Sequence, residues 1–314
     1  MPATLQLTYP SILALGGQTW PIGRYVSEDK NWTACNPSIG YSPKLGYALT
    51  IRSSNYLIDP ENGELKVQGG AKEIKSRVWF CELTDDLKGK NMREVKFYNG
   101  DLPIDRGIED AKLLWRDGSW HFTGVMKEKE HTPLFRMALY RFDLKTNIAY
   151  LVKKYEGPDV TKPEKNWMMP YKPNPNFDFI YGPTAIVKND LVISKMNTNE
   201  SIGTIRGNTN LWEMPDGTYI ALVHSLYLKI TKMVTHMKTD RTYTHQFVRY
   251  SAEGDIIEIS EEFVFQKMQV EFAAGLVEKD GNFIISYGVQ DESSHFASIP
   301  VENVLELLKP VKND

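Results

Sequence analysis

The apolar and polar positions along this chain spell short strands. Runs such as GYALTIR, VWFCEL, FRMALYRFD, TYIALVHS and NFIISYGV are rich in β-branched and aromatic residues, and turn residues bound them. Helical spacing is scarce. Its clearest case is VENVLELLKP, where Val301, Val304, Leu305 and Leu308 fall three and four apart and Pro310 ends the run. This predicts a short C-terminal helix on an otherwise all-β chain.

Five hairpins share one grammar. NPSIGYSPKLGYALTIR starts at Asn36 and turns near Pro43. IEDAKLLWRDGSWHFTGV starts at Ile108 and turns at Asp117-Gly118. EKNWMMPYKPNPNFDFIYGP starts at Glu164 and turns through a Pro/Asn loop. GNTNLWEMPDGTYIALVHS starts at Gly207 and turns at Asp216-Gly217. VEFAAGLVEKDGNFIISYGV starts at Val270 and turns at Asp280-Gly281. Each has a polar or small-residue start, a short strand, a turn and an apolar strand. The starts lie roughly 40 to 75 residues apart, with room between them for about four strands per unit, the spacing of propeller blades. The expected fold is a single five-bladed β-propeller over residues 1–314 with no domain boundary. In such a ring the first strand of each blade lines a central channel, and the five polar starts converge on one funnel, the default place for a binding site.

Composition narrows the chemistry. Hydrophobic residues make up 41% and charged residues 25%, ordinary values for a soluble globular protein. Net charge is -3 with no long run of either sign, so nucleic acid is unsupported as a partner. The two cysteines, Cys35 and Cys81, form no CxxC and no His/Cys cluster, which argues against a zinc site and suits a reducing compartment. The N-terminal stretch lacks a basic region and a long apolar run. No signal peptide or membrane span is expected, and the expected location is cytoplasmic. There is no Walker motif, Rossmann fingerprint, GxSxG, HExxH or Asp-rich metal loop. No metal or cofactor is expected, and what remains is acid/base work on a polar substrate.

The candidates sit at the hairpin starts. Glu109 and Asp110 are neighbours, so strand alternation sends them to opposite faces and only one meets the channel. That one is a general acid or base if enclosed; as a bare turn the pair is merely solvated. Glu164-Lys165-Asn166-Trp167 places an acid, a cation and an amide together. Lys165 reads as a phosphate holder or a surface ion pair, and Trp167 as a sugar platform or core. Arg206 is a fork for phosphate or carboxylate, or a solvated turn residue. His224 ends an apolar strand and is structural or assisting. Glu271 and Asp291 flank the last hairpin, each a possible second carboxylate or a hydrogen-bond acceptor. Tyr287 and Tyr181 lie near strand ends. With 16 Tyr and 7 Trp there is aromatic surface for sugar stacking, or for a core.

These residues resemble a known family, the five-bladed propeller glycoside hydrolases and phosphorylases, above all the mannoside-phosphorylase-like group. The resemblance rests on Asn36-Pro37-Ser38-Ile39, on Ile108-Glu109-Asp110-Ala111-Lys112, and on Gly275-Leu276 followed by Ser286-Tyr287-Gly288 and Asp291. It runs in order over roughly residues 30 to 300. It implies inversion at a glycosidic bond with Asp110 as catalytic acid, and phosphate held by basic residues and a His. Lys165, Arg206 and His224 are the candidates by position. Asn36 and Asp291 would orient sugar hydroxyls. Ala111-Lys112 departs from the Pro-Arg frequent in the family, and Asn208 stands where related chains often have Gly. Lysine keeps the charge without the planar fork. A relative using a nucleotide sugar would place its diphosphate on the same cations. The implied substrate is a sugar or glycan with phosphate, a sugar phosphate or a nucleotide sugar. Two rivals stand beside this reading: a non-catalytic glycan- or protein-binding propeller, and an inverting hydrolase. The hydrolase would need a water-activating carboxylate, nearest Glu271, about 6.5–9.5 Å from Asp110.

Overall fold

The computed structural model describes residues 9–23, 31–59, 64–127, 135–157, 165–182, 185–195, 205–232 and 237–311. Almost every regular element is a strand. β1 (Gln18–Pro21) comes first. β2 (Cys35–Ser42) and β3 (Gly46–Ser54) form a hairpin, followed by a small ribbon of β4 (Tyr56–Ile58) and β5 (Leu65–Val67). β6 (Ser76–Leu83) and β7 (Gly89–Asn99) extend the hairpin to four antiparallel strands, and β8 (Leu102–Pro103) caps β7.

A second four-stranded meander holds β9 (Glu109–Arg116), β10 (Ser119–Lys127), β11 (Phe135–Asp143) and β12 (Ile148–Lys154). The two meanders are joined where Ile148–Tyr150 pairs in parallel with Lys96–Tyr98, so they read as one nine-stranded sheet once β8 is included. β13 (Phe179–Tyr181), β14 (Ala185–Lys188) and β15 (Leu191–Lys195) make a three-stranded sheet. β16 (Arg206–Gly207) and β17 (Trp212–Glu213) both pair with β18 (Tyr219–Lys232), which pairs along its length with β19 (Met237–Tyr250), and β20 (Ile256–Ile259) follows. The last sheet is β21 (Glu271–Lys279), β22 (Asn282–Val289) and β23 (Ser293–Pro300), completed by β1 from the other end of the chain. α1 (Val301–Leu307) then packs through Val304, and β24 (Lys309–Pro310) returns to β20. No helix among the described residues is long and apolar enough to cross a membrane.

Turn chemistry sets these hairpins. Asp117-Gly118 and Asp280-Gly281 have positive φ at both positions (50° and 72°; 51° and 75°), the backbone of a type I′ turn, whose twist matches the strands it joins. The third expected hairpin differs. Asn166 is left-handed (φ 63°), and residues 167–171 pair only through isolated bridges, Met168 with Ile180 and Pro170 with Leu211, where Pro170 offers no ladder donor.

The innermost segments hold one another. On β2, Ser38 Oγ donates to Ala274 O of β21 (2.9 Å) and accepts from Leu113 N of β9 (3.0 Å). Lys112 of β9 reaches Trp167 O, Leu211 N donates to Met169 O (2.9 Å), and β17 and β18 touch β21. The contacts therefore run in a cycle: β2, β9, 167–171, 207–213, β21 and back to β2. Between the sheets lies an aromatic core, as where Phe97 meets Tyr140 edge-on at 5.1 Å.

Candidate active site

β2 and β9 begin side by side, each on a bulge. Cys35 pairs with Arg52 and Ser38 with Thr50, so β2 carries one extra residue. Glu109 pairs with Val125 and Lys112 with Thr123, so β9 does too. Within these bulges Asn36 (φ 45°) and Asp110 (φ 51°) are left-handed, a backbone that Asn and Asp accept more readily than other L residues. A bulge re-aims the side chains it carries.

That re-aiming changes the expectation for the acidic pair. Alternation would separate Glu109 from Asp110. Instead both carboxylates lie by one guanidinium: Arg52 Nη1 is 3.2 Å from Asp110 Oδ1 and 4.0 Å from Glu109 Oε1. Asn36 Nδ2 also donates to Asp110 Oδ1, at 2.9 Å. Both bonds fall on Oδ1, and no donor among the described residues meets Oδ2. Arg52 is itself fixed. It is buried, donates from Nε to Ser76 Oγ (3.0 Å), and lies 5.7 Å from the centre of the Tyr56 ring. Tyr56 in turn donates to Asp291 Oδ2 at 2.8 Å.

Cations gather opposite. Arg206 on β16 is the cross-strand partner of His224 on β18. His224 is buried, stacked on Tyr243 at 4.9 Å and edge-on to Phe272 at 5.7 Å. Burial first, then His245, Arg206, Lys112 and Lys165, push its imidazole well below the ordinary value, so it is neutral at pH 7. Among the described residues its Nδ1 meets no partner, and neither does either polar atom of buried Asn208. Lys112 is buried with Nζ on Trp167 O at 2.8 Å, and burial pushes its ammonium down to about 7. Lys165 and Arg206 are exposed, and no carboxylate among the described residues lies within ion-pair reach of either.

The two halves sense each other. Burial pushes the Tyr243 hydroxyl up, Asp291 and Asp110 push it further, and Arg206 opposes them. Burial raises the Glu109 carboxyl above the usual carboxylate range, while Arg52 and Lys165 pull it back. Asn36, Glu109, Asp110, Lys165, Arg206, His224 and Asp291 thus form one electrostatic neighbourhood with Arg52, Lys112 and Tyr243. Among the described residues no group of three or more His, Cys, Asp or Glu is placed to hold a metal ion.

Three candidates serve elsewhere. Glu271 is buried, and its carboxylate accepts from Phe265 N (2.7 Å), Gln266 N (3.1 Å), Lys267 N (3.3 Å) and Gln269 Nε2 (3.0 Å). It ties down the loop before β21, with three of these donors on Oε1 and one on Oε2. Tyr287 is buried between Phe265 (4.2 Å, stacked) and His295 (5.4 Å), with its hydroxyl accepting from Gln266 Nε2 at 2.8 Å. Trp167 is core, stacked on Phe179 at 3.8 Å. Glu164 lies outside the described residues. Arg52, Tyr56 and Tyr243 went unread in the sequence because only strand register brings them to the bulges. The one local signal was a charged Arg52 at the end of an apolar strand.

No protein-family model and no curated protein matches the sequence. Solved structures do match its fold. A β-1,2-mannobiose phosphorylase from Listeria innocua, in complex with β-1,2-mannobiose, superposes at TM-score 0.60 and 11% identity, over 93% of this chain and 98% of that one. A GDP-mannose-dependent mannosyltransferase from Leishmania mexicana gives TM-score 0.56 and 14% identity over 86% and 85% of the two chains. A mannose phosphorylase from the same organism, in complex with a phosphate ion, gives 0.56 and 12% over 90% and 88%. The resemblance to the mannoside-phosphorylase-like group is borne out at the level of fold.

Proposed function

We propose that the chain is one domain, a closed five-bladed β-propeller, and a carbohydrate-active enzyme that makes or breaks a glycosidic bond with inversion. The observation that carries the reading is the shared neighbourhood of Asp110 with two cations that meet no carboxylate among the described residues, Lys165 and Arg206. A carboxylate with one oxygen anchored and the other unengaged is placed for proton transfer. Uncompensated cations beside it suit a phosphate or diphosphate.

In the phosphorolytic direction a phosphate oxygen bonds to the anomeric carbon and the bond from that carbon to the leaving oxygen breaks. Asp110 gives its proton to that oxygen. In the transferase direction an acceptor hydroxyl bonds to the anomeric carbon while Asp110 takes its proton, and the nucleoside diphosphate departs on Lys165 and Arg206. His224, neutral, offers a hydrogen bond without adding charge. Arg52 and Asn36 hold Asp110 in place, and Asp291, steadied by Tyr56, faces sugar hydroxyls. The Glu271 carboxylate, buried and already holding four donors, speaks against the water-activating role that the hydrolase reading gives it.

The test is thermal stabilisation by orthophosphate, mannose 1-phosphate and GDP-mannose, read with product formation from β-1,2-mannobiose. At 100 times its dissociation constant a ligand stabilises by about 2.7 kcal/mol. One phosphorylated compound should stabilise the wild type and lose its effect in Lys165→Gln with Arg206→Gln. Asp110→Asn should keep that effect and lose turnover by at least about a hundredfold. Stabilisation that survives both cation changes would overturn the reading.

A further inference from the structure

A cavity of about 270 Å³ lies on the same face as Asp110, one strand further out. β6 begins and β7 ends at this face, and the stretch 103–107 leads from it into Glu109 and Asp110. The cavity and the acidic pair share a wall. Ser76, in that wall, accepts from Arg52 Nε at 3.0 Å, and Arg52 holds Asp110 at 3.2 Å. Gly107 closes the wall at φ 68°, so near Ser76 O that a Cβ would come to 2.0 Å.

The lining is aromatic and carries both signs of charge. Trp32 contributes an indole, backed by the Arg77 guanidinium 4.0 Å from the ring centre. Glu94 takes Lys96 at 2.8 Å and faces Arg77 at 4.0 Å. Lys75 lies 4.0 Å from Glu73, and Asp105 stands on the rim. Three lining cations, Lys75, Arg77 and Lys96, thus meet two lining carboxylates, Glu94 and Asp105, while Glu73 beside them also takes Arg106. Such a surface offers donors and acceptors together, unlike Lys165 and Arg206, which meet no carboxylate among the described residues.

We propose that this cavity is a second sugar subsite, taking a neutral sugar unit of an oligosaccharide whose other end reaches Asp110. The inference rests on the carbohydrate reading above. An indole supplies the apolar face a pyranose ring packs on, and mixed donors and acceptors suit hydroxyls rather than an anion. An occupant touching Ser76 and Gly107 also presses on the two elements that hold Asp110.

Titration calorimetry with mannose and β-1,2-linked manno-oligosaccharides of two to four units tests this on the full chain. Wild-type affinity should rise at least tenfold from the shortest binding sugar to the longest. Trp32→Ala should abolish that gain while leaving the shortest sugar's affinity unchanged. Asp105→Trp, at an exposed rim position that leaves the core untouched, should abolish it too by filling the cavity mouth. A length gain that persists in both variants, or no gain in the wild type while short sugars still bind, overturns the subsite and spares the carbohydrate reading. Silence from every sugar at every length overturns both.

Discussion

Lys112 is a buried ammonium with one protein acceptor, Trp167 O, and its proton affinity is pushed down to about 7 by burial. The wild type therefore carries a charging penalty of about 5 kcal/mol in full below pH 7. The folded state binds fewer protons than the unfolded one between about 7 and 10.5, so stability should rise with pH across that window. Lys112→Met removes the penalty together with the hydrogen bond to Trp167 O, a pH-independent loss of about 1–3 kcal/mol. The stability difference between variant and wild type, from urea melts at pH 6 to 9.5, should shift steadily toward the wild type as pH rises. Identical pH dependence in the two proteins would show that no buried charge sits there. Residue pattern alone showed Lys112 as a cation inside an apolar strand and Asp110 as half of an acidic pair; the family resemblance made Asp110 the expected catalytic acid and set Lys112 where an Arg is frequent. Arg52 was invisible as a partner because a cross-strand neighbour depends on register, which a bulge shifts.

The inner strands depend on positions where no side chain fits. A Cβ on Gly275 of β21 would come within 2.3 Å of Ile39 N on β2, and one on Gly288 within 2.6 Å of Asn36 N. Gly275→Ala should therefore push β21 off β2 and cost about 3 kcal/mol or more in chemical denaturation, at the upper end for an overpacked core. Loss of less than about 1 kcal/mol would mean the two strands can part freely. Hairpins with an Asp-Gly turn were legible, since those residues adopt the positive φ the turn needs. The bulges were not, because Asn36-Pro37 and Glu109-Asp110 read as ordinary polar starts until the opposite strand is known. The hairpin of β18 and β19 was also cut short in the sequence reading. His224 ended the apolar run, yet pairing continues to Lys232 and Met237, on a stretch where Leu226 and Leu228 stay exposed and alternation no longer reports a core.

At the scale of the molecule the last sheet is built from both ends of the described chain. β1 pairs Gln18 with Ser298 and Pro21 with His295, and the residues before it pack beneath: Ile12 is fully buried, Ile12 N donates to Val264 O at 2.8 Å and Val264 N to Pro10 O at 3.0 Å. The sequence did not announce β1, because QTWP is short, ends in proline and carries no alternation, and its partner lies at the far end of the chain. Deleting residues 1–21 strips the outer edge of β23 and removes Ile12, whose loss alone is worth about 2–5 kcal/mol. In the proposed ring no sector has a free side, so the loss must spread. β21 would loosen against β2 and against β18, and through β2 against β9. Urea unfolding followed by circular dichroism and by tryptophan fluorescence, which reports on the six remaining tryptophans with Trp115, Trp120 and Trp167 well away from the deleted strand, should then shift to a lower midpoint in both signals together. If the sectors were independent, the deletion would release an early transition seen by circular dichroism while tryptophan fluorescence kept its wild-type midpoint, and the closed ring that brings Asp110 to Lys165 and Arg206 would be wrong.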